Sequence, residues 1–461
     1  MLIRTIKLLT GNRIDVIFKI LYLRLHHLGA NKIANKLYND HIKLITNGVY
    51  KESGSNKKSL YDYISEFENL YNSIKTGGYN ENISRIPISK GGSISNGSHR
   101  LATSVYLNIN EVQVEKTEEE KHIYDYKFFI QRGISIELID LVIQEFISLT
   151  KNNYMAIIWP SANKQINYLE EFPNVFYEKK ITLNPRGAQN FVAQVYKEHK
   201  WVGSFEEGYG GAISKVNETF KNFSFLHLIF FKENSIDKVI RIKESLRFKF
   251  GIDKASIHIT DNDTETREIS NFVLNQNSVH FLRFGIPYKF PAIFNLLKLF
   301  KEILISKGID FNSIILTGDI VLSIYGFKST DTIEYLFKES IEHEYRFIKN
   351  GFTDIIFYEE TFEELLNNPK FYFYFNDFKF LSLDIIKKFK SNRNSELDQS
   401  DIILIESKKM KKNAGSTANI LDYLMQFKFK FIGWIIPISK KFLFYSFAKN
   451  IYKIFNSFSK K

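Results

Sequence analysis

The segment Asn96-Gly97-Ser98-His99-Arg100 brings backbone N–H groups, an imidazole and a guanidinium to one point in the chain. Gly97 tolerates positive φ, so the chain can turn sharply there, and Ser98 is placed to cap a helix opening with His99 and Arg100. Donors at a helix N-terminus make an anion site, so all five residues are candidates for holding phosphate. A hairpin followed by a capped helix, with His99 and Arg100 bonded locally, is the competing reading. A second group is Ser256-Ile257-His258-Ile259-Thr260-Asp261. On a strand, His258 and Thr260 share one side, and Asp261 stands at the C-terminal end, where open α/β sheets bind ligands. Arg241, Lys243 and Arg247 on the preceding helix can bring positive charge to the same mouth, Arg241 and Arg247 as phosphate contacts. His258 is then a candidate base, Asp261 a candidate to orient it or bind metal, and a nucleotide-activated donor a fitting substrate. Against this stands a half-buried strand histidine with Asp261 and Thr264 as helix caps.

Elements must hold these residues in place. Residues 1–45 have apolar positions at helical spacing and read as basic N-terminal helices. Leu60, Tyr63, Ile64, Phe67, Leu70, Tyr71 and Ile74 line one face of a helix over 59–76, ended by Gly77-Gly78. Residues 86–88 and 93–95 read as a hairpin around Gly91-Gly92, and 112–114 as a further strand. Residues 118–153 are a helical connector. A central unit, 154–288, reads as strands at 155–159, 180–183, 226–231, 256–260 and 279–282, with helices at 234–250 and 264–275. That alternation implies a mostly parallel or mixed sheet. A third unit, 289–412, opens with a helix over 291–307, followed by a strand at 314–317, a helix at 320–325 and a strand near 332–337. Beyond 363 it reads as largely helical, interrupted by the aromatic run 371–380. Trp159 and Trp201 stand near predicted loops, where aromatic rings can stack on sugars, although a core position is commoner.

Glu68 to Ile74, Gly77-Gly78, Ile86-Pro87-Ile88, Gly92, Asn96-Gly97-Ser98-His99-Arg100 and Ala102 together resemble the ParB/sulfiredoxin-like family over roughly 40–115. The resemblance implies an α+β domain over 46–117 that binds nucleotide phosphates through Ser98, His99 and Arg100. Asn96 stands where the family usually carries Asp. Some members are free-serine kinases with a Glu base before the first helix; Glu52 matches that position, and a solvated loop carboxylate is the competing reading. Sulfiredoxin chemistry needs a cysteine, and this chain has none. Residues 316–336 resemble the nucleotidyltransferase-like fold. Gly318 matches its Gly-Ser, Asp319 replaces the Ser, and the Asp-x-Asp positions read Thr332 and Glu334. A non-catalytic or acceptor-binding domain is expected there. The carboxylates offered to a divalent Mg or Mn ion are Asp261 and Glu334. Residues 371–401 also resemble the end of this domain in bacterial surface-polysaccharide proteins.

The net charge of +12 is concentrated at the ends. Residues 1–36 carry seven Lys/Arg against Asp15 alone, and 421–461 carry eight Lys against Asp422 alone, which leaves 37–420 near neutral. A nucleic-acid-binding body would carry its own basic face, so nucleic acid is not the expected partner. The tail, 413–461, interleaves Lys with Phe, Ile and Trp, a composition suited to an anionic membrane surface or to packing on the body. The expected architecture is an α/β multidomain chain: a ParB/sulfiredoxin-like unit, a central α/β unit, a nucleotidyltransferase-like unit and a basic amphipathic tail. The expected function is a cytoplasmic transferase, peripheral at the inner face of the cell membrane, in capsule or surface-polysaccharide biosynthesis. It would move a phosphorus-containing or nucleotide-activated group onto a glycan hydroxyl. A sugar-nucleotide-dependent glycosyltransferase and a ParB-like DNA-binding regulator are the alternatives.

Overall fold

The described residues build three small sheets, each covered by helices, and the class is mixed α/β. The computed structural model describes all residues except 52–55, 80–84, 119–121, 205–207 and 414–461, with side chains described only to 407. Glu52 and the basic tail therefore lie outside the described residues. Among those described, no helix is long and apolar enough to cross a membrane.

The first sheet joins β1 (Leu2–Arg4), β2 (Ile86–Ile88) and β3 (Glu111–Lys116) in the order β1-β3-β2. The extreme N-terminus is thus a strand rather than helix; three residues are too few to show a period. Helices α1 (Ile14–His27), α2 (Asn31–Ile45), α3 (Leu60–Gly77) and α4 (Ser98–Tyr106) pack around it, and α5 (Tyr126–Gln131) and α6 (Ile136–Leu149) lead onward. Ser59 and Asp62 form a reciprocal capping box on α3. The expected hairpin after β2 reduces to a single antiparallel bridge between Ile88 and Ile94.

The second sheet holds β4 (Asn153–Ile158), β5 (Val175–Thr182), β6 (Phe225–Lys232) and β7 (Ile257–Ile259) in the order β5-β6-β4-β7. Every pairing in it is antiparallel, which corrects the parallel or mixed expectation. Helices α7 (Pro185–Val195), α8 (Gly210–Thr219), α9 (Ile236–Phe250), α10 (Asp263–Val273) and α11 (Gln276–Phe284) complete this region. The crossover through α9 joins β6 to β7 with β4 inserted between them, so alternation of strand and helix does not place neighbours side by side here. The expected strand at 279–282 is part of α11. One hydrophobic core runs continuously from Leu8 to Leu282 through both sheets, while α9 closes a smaller core on the opposite face of the second.

The third sheet is mixed, in the order β10-β9-β8-β12-β11. After α12 (Ala292–Ser306) come β8 (Ile315–Thr317), α13 (Asp319–Ile324), β9 (Ile333–Leu336) and β10 (Ile348–Asn350). Then follow α14 (Phe362–Asn367), β11 (Tyr372–Phe375), β12 (Phe378–Leu381), α15 (Leu383–Arg393) and α16 (Glu396–Asn413). The aromatic run is a hairpin whose turn residues, Asn376 and Asp377, both have positive φ.

Candidate active site

Among the described residues, strand β7 pairs only with β4 and forms an edge of its sheet. Ile257 and Ile259 enter the core against Val239, Leu246 and Phe250 of α9, so His258 between them faces the other side. The chain then turns into α10, whose N-cap Asn262 accepts a hydrogen bond from the Glu265 N–H at 2.9 Å. Glu265 reaches back: Oε2 accepts from the Asp261 N–H at 2.6 Å, and Oε1 lies 3.0 Å from His258 Nε2. A carboxylate only accepts, so Nε2 carries the proton and Nδ1 the lone pair. The turn is fixed from within, because the buried Thr260 hydroxyl meets that of Thr266 at 2.7 Å and accepts from the Met155 N–H at 2.9 Å.

The group that orients His258 is therefore Glu265, in place of the expected Asp261. Asp261 is exposed and accepts from Lys243 Nζ at 3.2 Å. The signal for Glu265 was present in the sequence, as an Asn followed three residues later by Glu at a helix start. Arg247 donates from Nη1 to Glu244 at 2.7 Å, while its buried Nε finds no hydrogen-bond partner. Arg241 lies exposed on α9. Beyond His258, the Tyr196 ring stands edge-on at 5.3 Å, with Trp201 at 5.0 Å and His199 at 5.7 Å from it. Burial, and then the Glu265 charge, push the Tyr196 hydroxyl pKa upward, so it stays protonated. Trp159, by contrast, is a core residue against Phe191 and Phe220.

The 96–100 loop is arranged differently from expectation. Gly97, at φ +82°, is the N-cap of α4, and Ser98 is its first residue rather than its cap. Asn96 Oδ1 accepts from the Gly97 N–H at 2.6 Å. The His99 imidazole is half-buried, edge-on to Phe67 at 4.6 Å, with Nε2 2.9 Å from the Tyr38 hydroxyl. Desolvation, then the charges of Lys19 and Lys57, hold its pKa well below the usual range, so it is neutral and supplies no cation. Arg100 folds back over Gly97 and donates to the Arg85 carbonyl at 2.8 Å. Below the loop, buried Arg13 binds both Asp15 oxygens at 2.8 and 2.9 Å and donates to the Ile94 carbonyl, a support no local motif announces.

Asp261 follows β7 of the second sheet and Glu334 lies on β9 of the third, and among the described residues no group of three or more His, Asp or Glu could hold a metal ion. Around Glu334 the residues do not fit a divalent cation. Its carboxylate lies where a Cβ on Gly318 would stand, and burial followed by the Asp319 charge raises its pKa. Asp319 is already neutralised by Lys328 at 2.7 Å and Lys390 at 3.1 Å, so lysine nitrogens supply the positive charge a metal would bring. Thr332 and Asp331 precede β9. No family model, curated protein or solved structure matches the chain.

Proposed function

We propose that the chain is a transferase whose catalytic centre is the His258–Glu265 pair at the end of β7. His258 Nδ1 takes the proton of an acceptor hydroxyl, and Glu265 holds the ring and stabilises the imidazolium that results. The acceptor oxygen forms a bond to phosphorus of an activated donor, and the bond from phosphorus to the departing phosphate oxygen breaks. Lys243, which pairs with Asp261 at 3.2 Å, and Arg247 on α9 are assigned to the donor's anionic part. The observation that carries this reading is the 3.0 Å contact between Nε2 and Oε1, which fixes both tautomer and orientation.

Surface-polysaccharide biosynthesis is the proposed setting, on the resemblance of 371–401. Residues 46–117 we read as a ParB/sulfiredoxin-like unit; the succession of α3, β2, the Gly97 turn, α4 and β3 supports this. Residues 289–412 we read as a nucleotidyltransferase-like scaffold without metal chemistry, supported by the lysine-neutralised Asp319. The tail 413–461 would hold the enzyme to an anionic membrane. The test is phosphorus NMR of the full chain with nucleoside triphosphates and nucleotide-activated donors, alone and with glycan acceptors. His258→Asn and Glu265→Gln should lower transfer by roughly 10²–10⁴-fold. A His258→Asn protein with the wild-type rate would refute the assignment.

A further inference from the structure

We infer that Trp201 and Tyr196 form the acceptor subsite, and that its ligand is a pyranoside ring lying on the exposed face of Trp201. This rests on the transferase reading of His258. Trp201 is 47% exposed, yet its backbone is held firmly. It sits in a single turn, Lys200–Val202, anchored by buried Val202 and closed by Gly203 at φ +84°. The Trp201 carbonyl packs against Gly211 where any Cβ would overlap it, so α8 fixes the height of this turn. A lone exposed aromatic needs no explanation. Here the ring is one of a contiguous set: Trp201 contacts Tyr196 at 5.0 Å, and Tyr196 contacts His258 at 5.3 Å.

Positive charge on α9, at Lys243 beside Asp261 and at Arg247, suits the donor. The indole of Trp201 is flanked by His199 at 6.3 Å. The negative π-face of an indole attracts the C–H bonds on the flat side of a pyranose. Tyr196 spans the gap, so a sugar seated on Trp201 directs one hydroxyl toward His258. A nucleobase would also stack on an indole, so AMP and UMP are the competing ligands.

The test separates this inference from the catalytic one. The full chain, labelled with ¹⁵N-tryptophan, is titrated with methyl glucoside, methyl galactoside and methyl N-acetylglucosaminide, and separately with AMP and UMP. The Trp201 indole signal is assigned by its absence in Trp201→Phe. At least one glycoside should shift that signal in wild type and equally in His258→Asn. Trp201→Ala should weaken binding at least tenfold and raise the acceptor KM with little change in kcat, while Trp201→Phe retains part of the affinity. If no glycoside moves the signal, or only the nucleotides do, the subsite assignment is overturned. Glycoside binding in a protein whose transfer is indifferent to His258→Asn would instead remove the catalytic reading and leave the subsite standing.

Discussion

Lys379 shows how far one residue can move from its solution chemistry. It lies buried on β12, donates to the Leu366 carbonyl at 2.9 Å, and stands over the rings of Tyr372 and Tyr374 at 4.7 and 5.8 Å. Burial, and then the Arg24 charge, bring its pKa down to about 7. An unfolded lysine titrates near 10.4, so between these values the unfolded chain binds more protons and stability rises with pH. That rise should amount to about 4 kcal/mol between pH 7 and 10, before other groups are counted. Urea titrations across this interval should show it in wild type and lose most of it in Lys379→Met. Identical slopes in the two proteins would contradict the assignment. Nothing in the sequence around Lys379 announces this, because the depression comes from the packing of β11, β12 and Arg24. His258 was legible as a strand residue at a sheet end. Its partner Glu265 was also written locally, in the Asn262 capping pattern, but the expectation gave the orienting role to Asp261.

At the scale of elements, the joint between α15 and α16 is held by charge. Lys390, 2% exposed, lies 3.3 Å from Asp398, 2.8 Å from Asp401 and 3.1 Å from Asp319. Arg393 reaches both Asp398 oxygens at 2.9 and 2.7 Å, and the Ser395 hydroxyl donates to Asp398 at 2.7 Å. Burial alone would raise the Asp398 carboxyl, but the bonds from Arg393 and Ser395 prevail and hold it well below the usual range. A depressed carboxylate contributes stability above its unfolded pKa and loses it on acidification. Asp398→Asn should cost roughly 3 kcal/mol at pH 7, because it leaves buried Lys390 and half-buried Arg393 short of a partner. Chemical denaturation at pH 7 and pH 3 checks this: the gap from wild type should narrow in acid. Legibility at this scale followed length and local signals. The period of α3 and its end at Gly77-Gly78 were plain. The apolar run 279–282 read as strand although Asn275 caps α11 by accepting from the Ser278 N–H at 2.8 Å. The Asn376-Asp377 turn was likewise available as a hairpin signal. The antiparallel order of the second sheet was not, since it depends on which strand inserts between β6 and β7.

Across the whole molecule, the parts are joined by side chains that serve elements far away in sequence. The N-cap of α2 is Ala30, whose methyl group cannot cap the helix. Its first N–H groups find their acceptor more than 300 residues away: Glu364 Oε1, on α14, lies 2.7 Å from the Lys32 nitrogen and 3.1 Å from that of Ile33. Asn368 donates to the other carboxylate oxygen at 3.2 Å, and Glu364 is 2% exposed. A buried acceptor at a helix N-terminus satisfies two otherwise orphaned donors and complements the helix dipole. Glu364→Ala should therefore destabilise the protein by about 1–3 kcal/mol, and Glu364→Gln, which keeps one acceptor oxygen, by less. Removing the exposed Lys32 amine, whose partner is Glu360 at 2.7 Å, should leave stability nearly unchanged. Asn275 and Asn277 both donate to the Pro369 carbonyl, and Lys197 pairs with Asp377. These further ties keep the two regions docked when Glu364 is lost. Calorimetry of Glu364→Ala should then show one transition at lower temperature, while hydrogen exchange at Lys32 and Ile33 accelerates well beyond the rest of α2. Unchanged exchange at those two amides would show that α2 does not depend on α14 for its cap.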